Sequence, residues 1–137
     1  MLTLGLIINP LAGIGGSVGL KGSDGPKVVK EAFLRGAECK SSARAKLALD
    51  VLAEIKDQVT IITCPRSMGE NLVAEMGFDY QVLDNISTKS TSADDTCQAA
   101  QQLLDKKVDI ILFAGGDGTA RDICSVVADT IPVLGIP

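Results

Sequence analysis

The sequence predicts an α/β protein, a three-layer sandwich built on a mostly parallel sheet. Three observations carry that expectation. The extended segments are short, apolar and β-branched instead of alternating, as strands covered on both faces are. Segments with helical spacing separate them, which calls for right-handed crossovers between parallel strands. Two glycine-rich turns follow apolar strands, at the carboxyl edge where open α/β sheets bind ligands.

Leu2 to Ile8 reads as the first strand, and residues 10–26 as a connection too rich in glycine for a regular element. A helical pattern runs from Gly25-Pro26 to Gly36, with Pro26 suited to a first turn. A second runs from Ser42 to Lys56, with Ala48, Val51, Leu52 and Ile55 on its inward face. Val59 to Thr63 is a short strand stopped by Cys64-Pro65; Met68 to Met76 is a helix closed by Gly77. Asp79 to Leu83 reads as the third strand and Ser87 to Ser92 as a hydroxyl-rich loop. Ser92-Ala-Asp-Asp95 resembles a capping box that opens a helix over Ala93 to Lys106, with Cys97, Ala100, Leu103 and Leu104 inward. The strand Val108 to Ala114, a glycine turn, a helix from Ala120 to Ala128 and a strand from Pro132 to Ile136 complete the chain. Because it stops at the end of a strand with no closing helix, the expectation is the front part of a longer protein.

The 137 residues suit one domain, and 46% hydrophobic with 22% charged residues is a globular balance. With three Phe, one Tyr and no Trp, the core falls to Leu, Ile, Val and Ala. A net charge of −4 without a basic stripe argues against nucleic acid as partner. No apolar stretch reaches the roughly 20 residues of a membrane span, and the start lacks signal-peptide features. The four cysteines, Cys39, Cys64, Cys97 and Cys124, have no paired spacing, and there is no His. They are expected as reduced thiols packed like small hydrophobes in a cytoplasmic protein, without a metal site.

The most informative stretch is Gly115-Gly116-Asp117-Gly118-Thr119. Glycine there permits positive φ and bares backbone N–H groups to an anion, and a helix beginning near Thr119 adds its dipole. Thr119 is suited to cap the helix or to meet a phosphate oxygen. Asp117 is out of place beside phosphates unless it binds a metal, takes a proton from an attacking hydroxyl, or bonds a ribose. The plainer reading is a tight turn in which Asp117 caps the helix. Arg121 and Asp122 fit surface or capping roles.

A second constellation, Asn9-Pro10-Leu11-Ala12-Gly13-Ile14-Gly15-Gly16, continues through Gly19, Lys21, Gly22, Ser23, Asp24 and Gly25. It is no Walker loop, lacking Gly-Lys-Ser/Thr, and Val18 stands where a dinucleotide fingerprint needs its third glycine. Lys21 is placed to neutralise phosphate or simply to be solvated. A flexible linker is the alternative, although two such loops at one sheet edge can converge on a single ligand. The loop 87–92 would join the same edge as binding loop or as solvated cap.

Together the two loops resemble the superfamily that unites NAD kinases with diacylglycerol and sphingosine kinases. The strings Ile8 to Gly16, Gly19 to Gly25 and Gly115 to Asp122 look most like its ATP-NAD kinase-like branch, which also holds acetoin-catabolism-associated proteins. The resemblance spans essentially the whole chain. It implies the N-terminal α/β domain of a two-domain kinase whose β-rich C-terminal domain, with its Asn-Glu pair, is missing here. Asp117 would then assist deprotonation of the adenosine ribose 2′-OH of NAD, giving NADP. Gly115, Gly116, Gly118 and Thr119, with Gly13, Gly15, Gly16 and Lys21, would hold phosphates, and Asn9 would shape the nucleotide site. ATP or polyphosphate would supply the phosphoryl group, with Mg²⁺. The implied partner is a small-molecule nucleotide, with no nucleic acid or membrane, in a cytoplasmic homo-oligomer. The alternatives are a lipid kinase domain of the diacylglycerol type and a non-catalytic nucleotide-binding protein.

Overall fold

Three central strands that are apolar on both faces need helices above and below, and the chain supplies them. A computed structural model describes residues 1–10, 40–86 and 93–136. The order is β1 (Leu2–Ile8), α1 (Ser41–Asp50), β2 (Val59–Thr63), α2 (Glu70–Met76), β3 (Asp79–Val82), α3 (Ala93–Asp105), β4 (Ile110–Ala114), α4 (Asp117–Val127) and β5 (Val133–Gly135). The sheet runs β3-β2-β1-β4-β5, and every pairing is parallel. The helix expected over 25–36 and the loop 87–92 lie outside the described residues.

The strand order explains the layers. From β1 the chain steps one way to β2 and β3, then returns across the sheet to β4 and β5. Right-handed crossovers put helices on opposite faces for the two directions. Accordingly α1 and α2 bring Ala45, Leu49, Leu72 and Val73 to the face of Leu4, Leu6, Ile8, Ile61 and Leu112. On the other face α3 and α4 bring Ala99, Ala100, Leu103, Ile123 and Val127 against Ile7, Ile62, Ile111 and Phe113. Gly5 lets α3 lie close, since a Cβ there would stand 2.9 Å from a Leu103 methyl.

Several boundaries differ from expectation. The segment 42–56 is not one helix: α1 stops at Asp50, and a 3-10 stretch, Ala53–Gln58, leads into β2. Its buried face is Ser41, Ala45 and Leu49, while Val51 is 81% exposed. One four-residue step, Ala45 to Leu49, is enough to cover this part of the sheet. The chain then tightens through i→i+3 bonds such as Leu52 N–H to Leu49 C=O to reach β2. In α3 the buried positions are Asp95, Thr96, Ala99, Ala100 and Leu103, with Cys97 and Leu104 half-buried. Strand β4 begins at Ile110 because Asp109 interrupts the apolar run, its carboxylate accepting from Thr3 N–H at 2.8 Å.

Candidate functional site

The sheet reverses direction between β1 and β4, so their carboxyl ends form the crevice where α/β folds place ligands. Ile8 is paired with Ala114, and the Asn9 backbone N–H donates to the Ala114 carbonyl at 2.8 Å. The loop that starts at Asn9 and the turn that starts at Gly115 therefore leave the sheet side by side. Gly13, Gly15, Gly16 and Lys21 lie outside the described residues.

Helix α4 starts at Asp117, three residues before the expected Ala120, with Gly116 at its cap position. None of Gly115, Gly116 and Gly118 has positive φ, so of the two expected reasons for glycine here only the uncovered backbone remains; Gly116 is ordinary extended backbone at φ −92°. Close packing accounts for one of them and uncovered backbone for the other two. A Cβ on Gly115 would stand 2.6 Å from Thr119 Oγ1 and 2.7 Å from its Cβ, so Gly115 allows the helix to fold back under the turn. At Gly116 and Gly118 a Cβ would meet nothing within 4 Å among the described residues. There the missing side chain leaves the backbone bare on the solvent side, which suits an anion approaching a helix N-terminus.

Asp117 is exposed, as are Gly116 and Gly118, whereas Thr119 is buried at 6% exposure. The plainer reading of Asp117 as a helix cap is not what the chain does: Asp117 lies inside the helix, and no side chain caps it. Its charge favours the positive end of the dipole, but its carboxylate faces outward. Thr119 turns inward in one stripe with Ile123 and Val127. Its Oγ1 accepts a 3.3 Å hydrogen bond from Asn9 Nδ2. Among the sequence candidates, the structure thus brings together Asn9, Gly115 and Thr119 beneath, and Gly116, Asp117 and Gly118 above. Arg121 is exposed and Asp122 half-buried one turn further on.

The first turn of α3 adds two buried polar groups, of which Asp95 is the capping-box residue expected from the sequence and Thr96 has no signal there. Asp95 and Thr96, in the first turn of α3, are buried at 8% and 3% exposure, and both have interaction partners. Burial, with help from the Asp95 charge, pushes the thiol of Cys64 up to about 12. Cys64 is therefore a neutral core group at physiological pH, not a nucleophile. The cysteines do not all pack as hydrophobes: Cys64 is buried, Cys97 half-buried and Cys124 exposed, all as free thiols. Cys39 lies outside the described residues.

Among the described residues no group of three or more His, Cys, Asp and Glu could hold a metal ion. A shallow depression of about 260 Å³, lined by Met1, Leu2, Ile55, Asp57 and Gln58, lies at the opposite, amino edge of the sheet. It lacks the bare backbone of the carboxyl edge. No described helix is long and apolar enough to cross a membrane. Compared with known proteins, residues 4–137 match the family model of the ATP-NAD kinase N-terminal domain. No curated protein and no solved structure matches the chain.

Proposed function

The chain belongs to the family of ATP-NAD kinase N-terminal domains, and on that premise we propose that it phosphorylates the adenosine ribose 2′-OH of NAD to give NADP, with ATP or polyphosphate as donor. The family implies phosphoryl transfer; the choice of acceptor and donor is our reading. The observation that carries it is the exposed Asp117, set in the first turn of α4 at the point where the sheet reverses. A carboxylate there is not needed to cap the helix, and it stands where phosphates are drawn.

With ATP, the ribose oxygen attacks the γ-phosphorus, the bond from that phosphorus to the β,γ-bridging oxygen breaks, and ADP leaves. The hydroxyl proton passes to the Asp117 carboxylate, which acts as general base. The N–H groups of Asp117 and Gly118 precede Ala120, whose N–H closes the first intrahelical bond, to Gly116 at 3.1 Å. They are therefore placed for phosphate oxygens. Bound Mg²⁺ would neutralise charge on those phosphates. Asn9, at the head of the glycine-rich loop, helps shape the nucleotide site from beneath through its hydrogen bond to Thr119.

The test is NADP formation by the full-length protein, with ATP and polyphosphate in parallel and with diacylglycerol as competing acceptor. NADP with either donor supports the proposal. Transfer to diacylglycerol alone overturns the acceptor, and nucleotide binding without transfer overturns the activity.

A further inference from the structure

Among the described residues no side-chain bond holds Asp117, so its position depends on what fixes the first turn of α4. Among the described residues, the side chain of that turn that is hydrogen-bonded to another element is Thr119. It is packed against Gly115, shares its buried stripe with Ile123, and accepts from Asn9 Nδ2. Asn9 is itself pinned by its backbone N–H on the Ala114 carbonyl. The links close a ring: Asn9 to Ala114 by one hydrogen bond, Ala114 to Thr119 along the chain, and Thr119 back to Asn9 by another. Asp117 sits on the outer side of that ring.

We propose that Asn9 and Thr119 act as a positioning pair, coupling the start of the β1 loop to the orientation of Asp117, and that the Thr119 hydroxyl serves this bond in place of a direct phosphate contact. The proposal rests on the kinase reading for its catalytic consequence, but not for the bond. A buried hydroxyl beneath Gly115 is poorly placed to reach a ligand and well placed to stop the first helical turn from rotating. Displacing a reacting group by about 1 Å costs up to about a hundredfold in rate. A ligand contact, by contrast, shows itself in KM.

The experiment compares Thr119→Val, Thr119→Ser, Asn9→Ala and the double variant Asn9→Ala/Thr119→Val in the full-length protein. The expected result is a fall in kcat of about tenfold for Thr119→Val and for Asn9→Ala, with KM for donor and acceptor held within about twofold. Thr119→Ser, which keeps the hydroxyl, recovers kcat to within about threefold, and the double variant is no worse than either single one. A raised KM with unchanged kcat in Thr119→Val, or multiplying losses in the double variant, overturns the pairing. If Thr119→Val fails to fold, Asn9→Ala, at a half-buried position, decides by the same kcat and KM criterion.

Amide exchange separates this proposal from the kinase reading. The amides at positions 9 and 120 flank the ring and are both hydrogen-bonded in the native chain. Each single variant is expected to speed exchange at both, with no further gain in the double variant. Unchanged exchange at position 120 in Asn9→Ala overturns the pairing even in a protein that makes no NADP. Coupled exchange in such a protein upholds the pairing while the kinase reading falls.

Discussion

Two strand-to-helix turns leave the same edge of the sheet, after β2 and after β4, and they are built in opposite ways. The turn after β2 is closed on itself. Thr63 donates its buried hydroxyl to the Leu6 carbonyl at 2.9 Å, the Glu70 carboxylate accepts from Arg66 N–H at 2.9 Å, and the Glu70 N–H reaches the Cys64 carbonyl at 3.0 Å. Gly69 holds φ 148°, and Arg66 is held at φ 52°. The turn after β4 uses no left-handed residue, has no side-chain cap, and exposes Gly116, Asp117 and Gly118. Glycine in the first turn satisfies the fold; glycine in the second keeps backbone uncovered. The difference locates function more sharply than glycine content does.

The comparison is tested most severely at Asp117. Asp117→Asn is expected to lower NADP formation by about 10²- to 10⁴-fold, the usual worth of a general base. Stability should fall by only about 0.3–1 kcal/mol, the loss of a charge at the helix dipole. Steady-state kinetics beside urea denaturation checks both. Wild-type turnover in this variant would remove Asp117 from the mechanism and erase the contrast between the turns.

Alanine at the two close-packed glycines ranks the turns by strain. At Gly69 a Cβ would stand 1.8 Å from Thr63 Oγ1 on left-handed backbone. A loss of about 3 kcal/mol or more is expected there. At Gly115 the backbone is ordinary and the contacts are 2.6 to 2.9 Å, so about 1–3 kcal/mol is expected. Only Gly115→Ala should also depress kcat in the protein that remains folded. Equal catalytic effects from both would show that the closed turn takes part in the reaction.

The buried thiol gives a pH signature to the closed turn. Cys64 titrates at about 12 folded against an ordinary value of 9.0. Between those values the folded chain keeps a proton that the unfolded chain has lost, so its contribution is whole below pH 9 and declines as pH rises towards 12. The limiting slope is about 1.4 kcal/mol per pH unit. Urea denaturation of wild type and Cys64→Ala from neutral to alkaline pH isolates it as the difference between the two curves. The smallest expected effect is at Gly118, exposed within the helix. Gly118→Ala should stabilise by about 0.5 kcal/mol while weakening donor affinity, since a methyl would cover the N–H groups offered to phosphate. Calorimetric titration with ATP, set beside thermal melting, checks the two signs.

Much of this was legible in the residues. β1 and β2 fall on their expected ranges because short β-branched runs buried on both faces have few other uses. Gly77 ends α2 in the left-handed conformation expected of it, φ 80°. The family and the parallel sheet were also readable. What failed did so for local reasons. Along 42–56, Ala48, Val51, Leu52 and Ile55 repeat like a core stripe and Leu52 does pack on the core, but the helix ends at Asp50, so its buried face is Ser41, Ala45 and Leu49 and Val51 turns outward. The start of α4 was set three residues late because Asp-Gly-Thr has turn composition, although the first helical turn has few intrahelical bonds to lose. The contact of Thr119 with Asn9 spans 110 positions, and no local pattern encodes it.

That span carries a kinetic consequence. β1 leaves the ribosome ahead of the other described strands, yet its partner β4 and the hydroxyl that receives Asn9 are made more than a hundred residues later. Until then β1 can pair only with β2, and its other edge stands open to wrong partners. Closing so long a loop is slow and entropically costly. The crevice between β1 and β4 cannot form before Thr119 has been made, so folding intermediates that stop at β3 would bear helices and three strands but lack it.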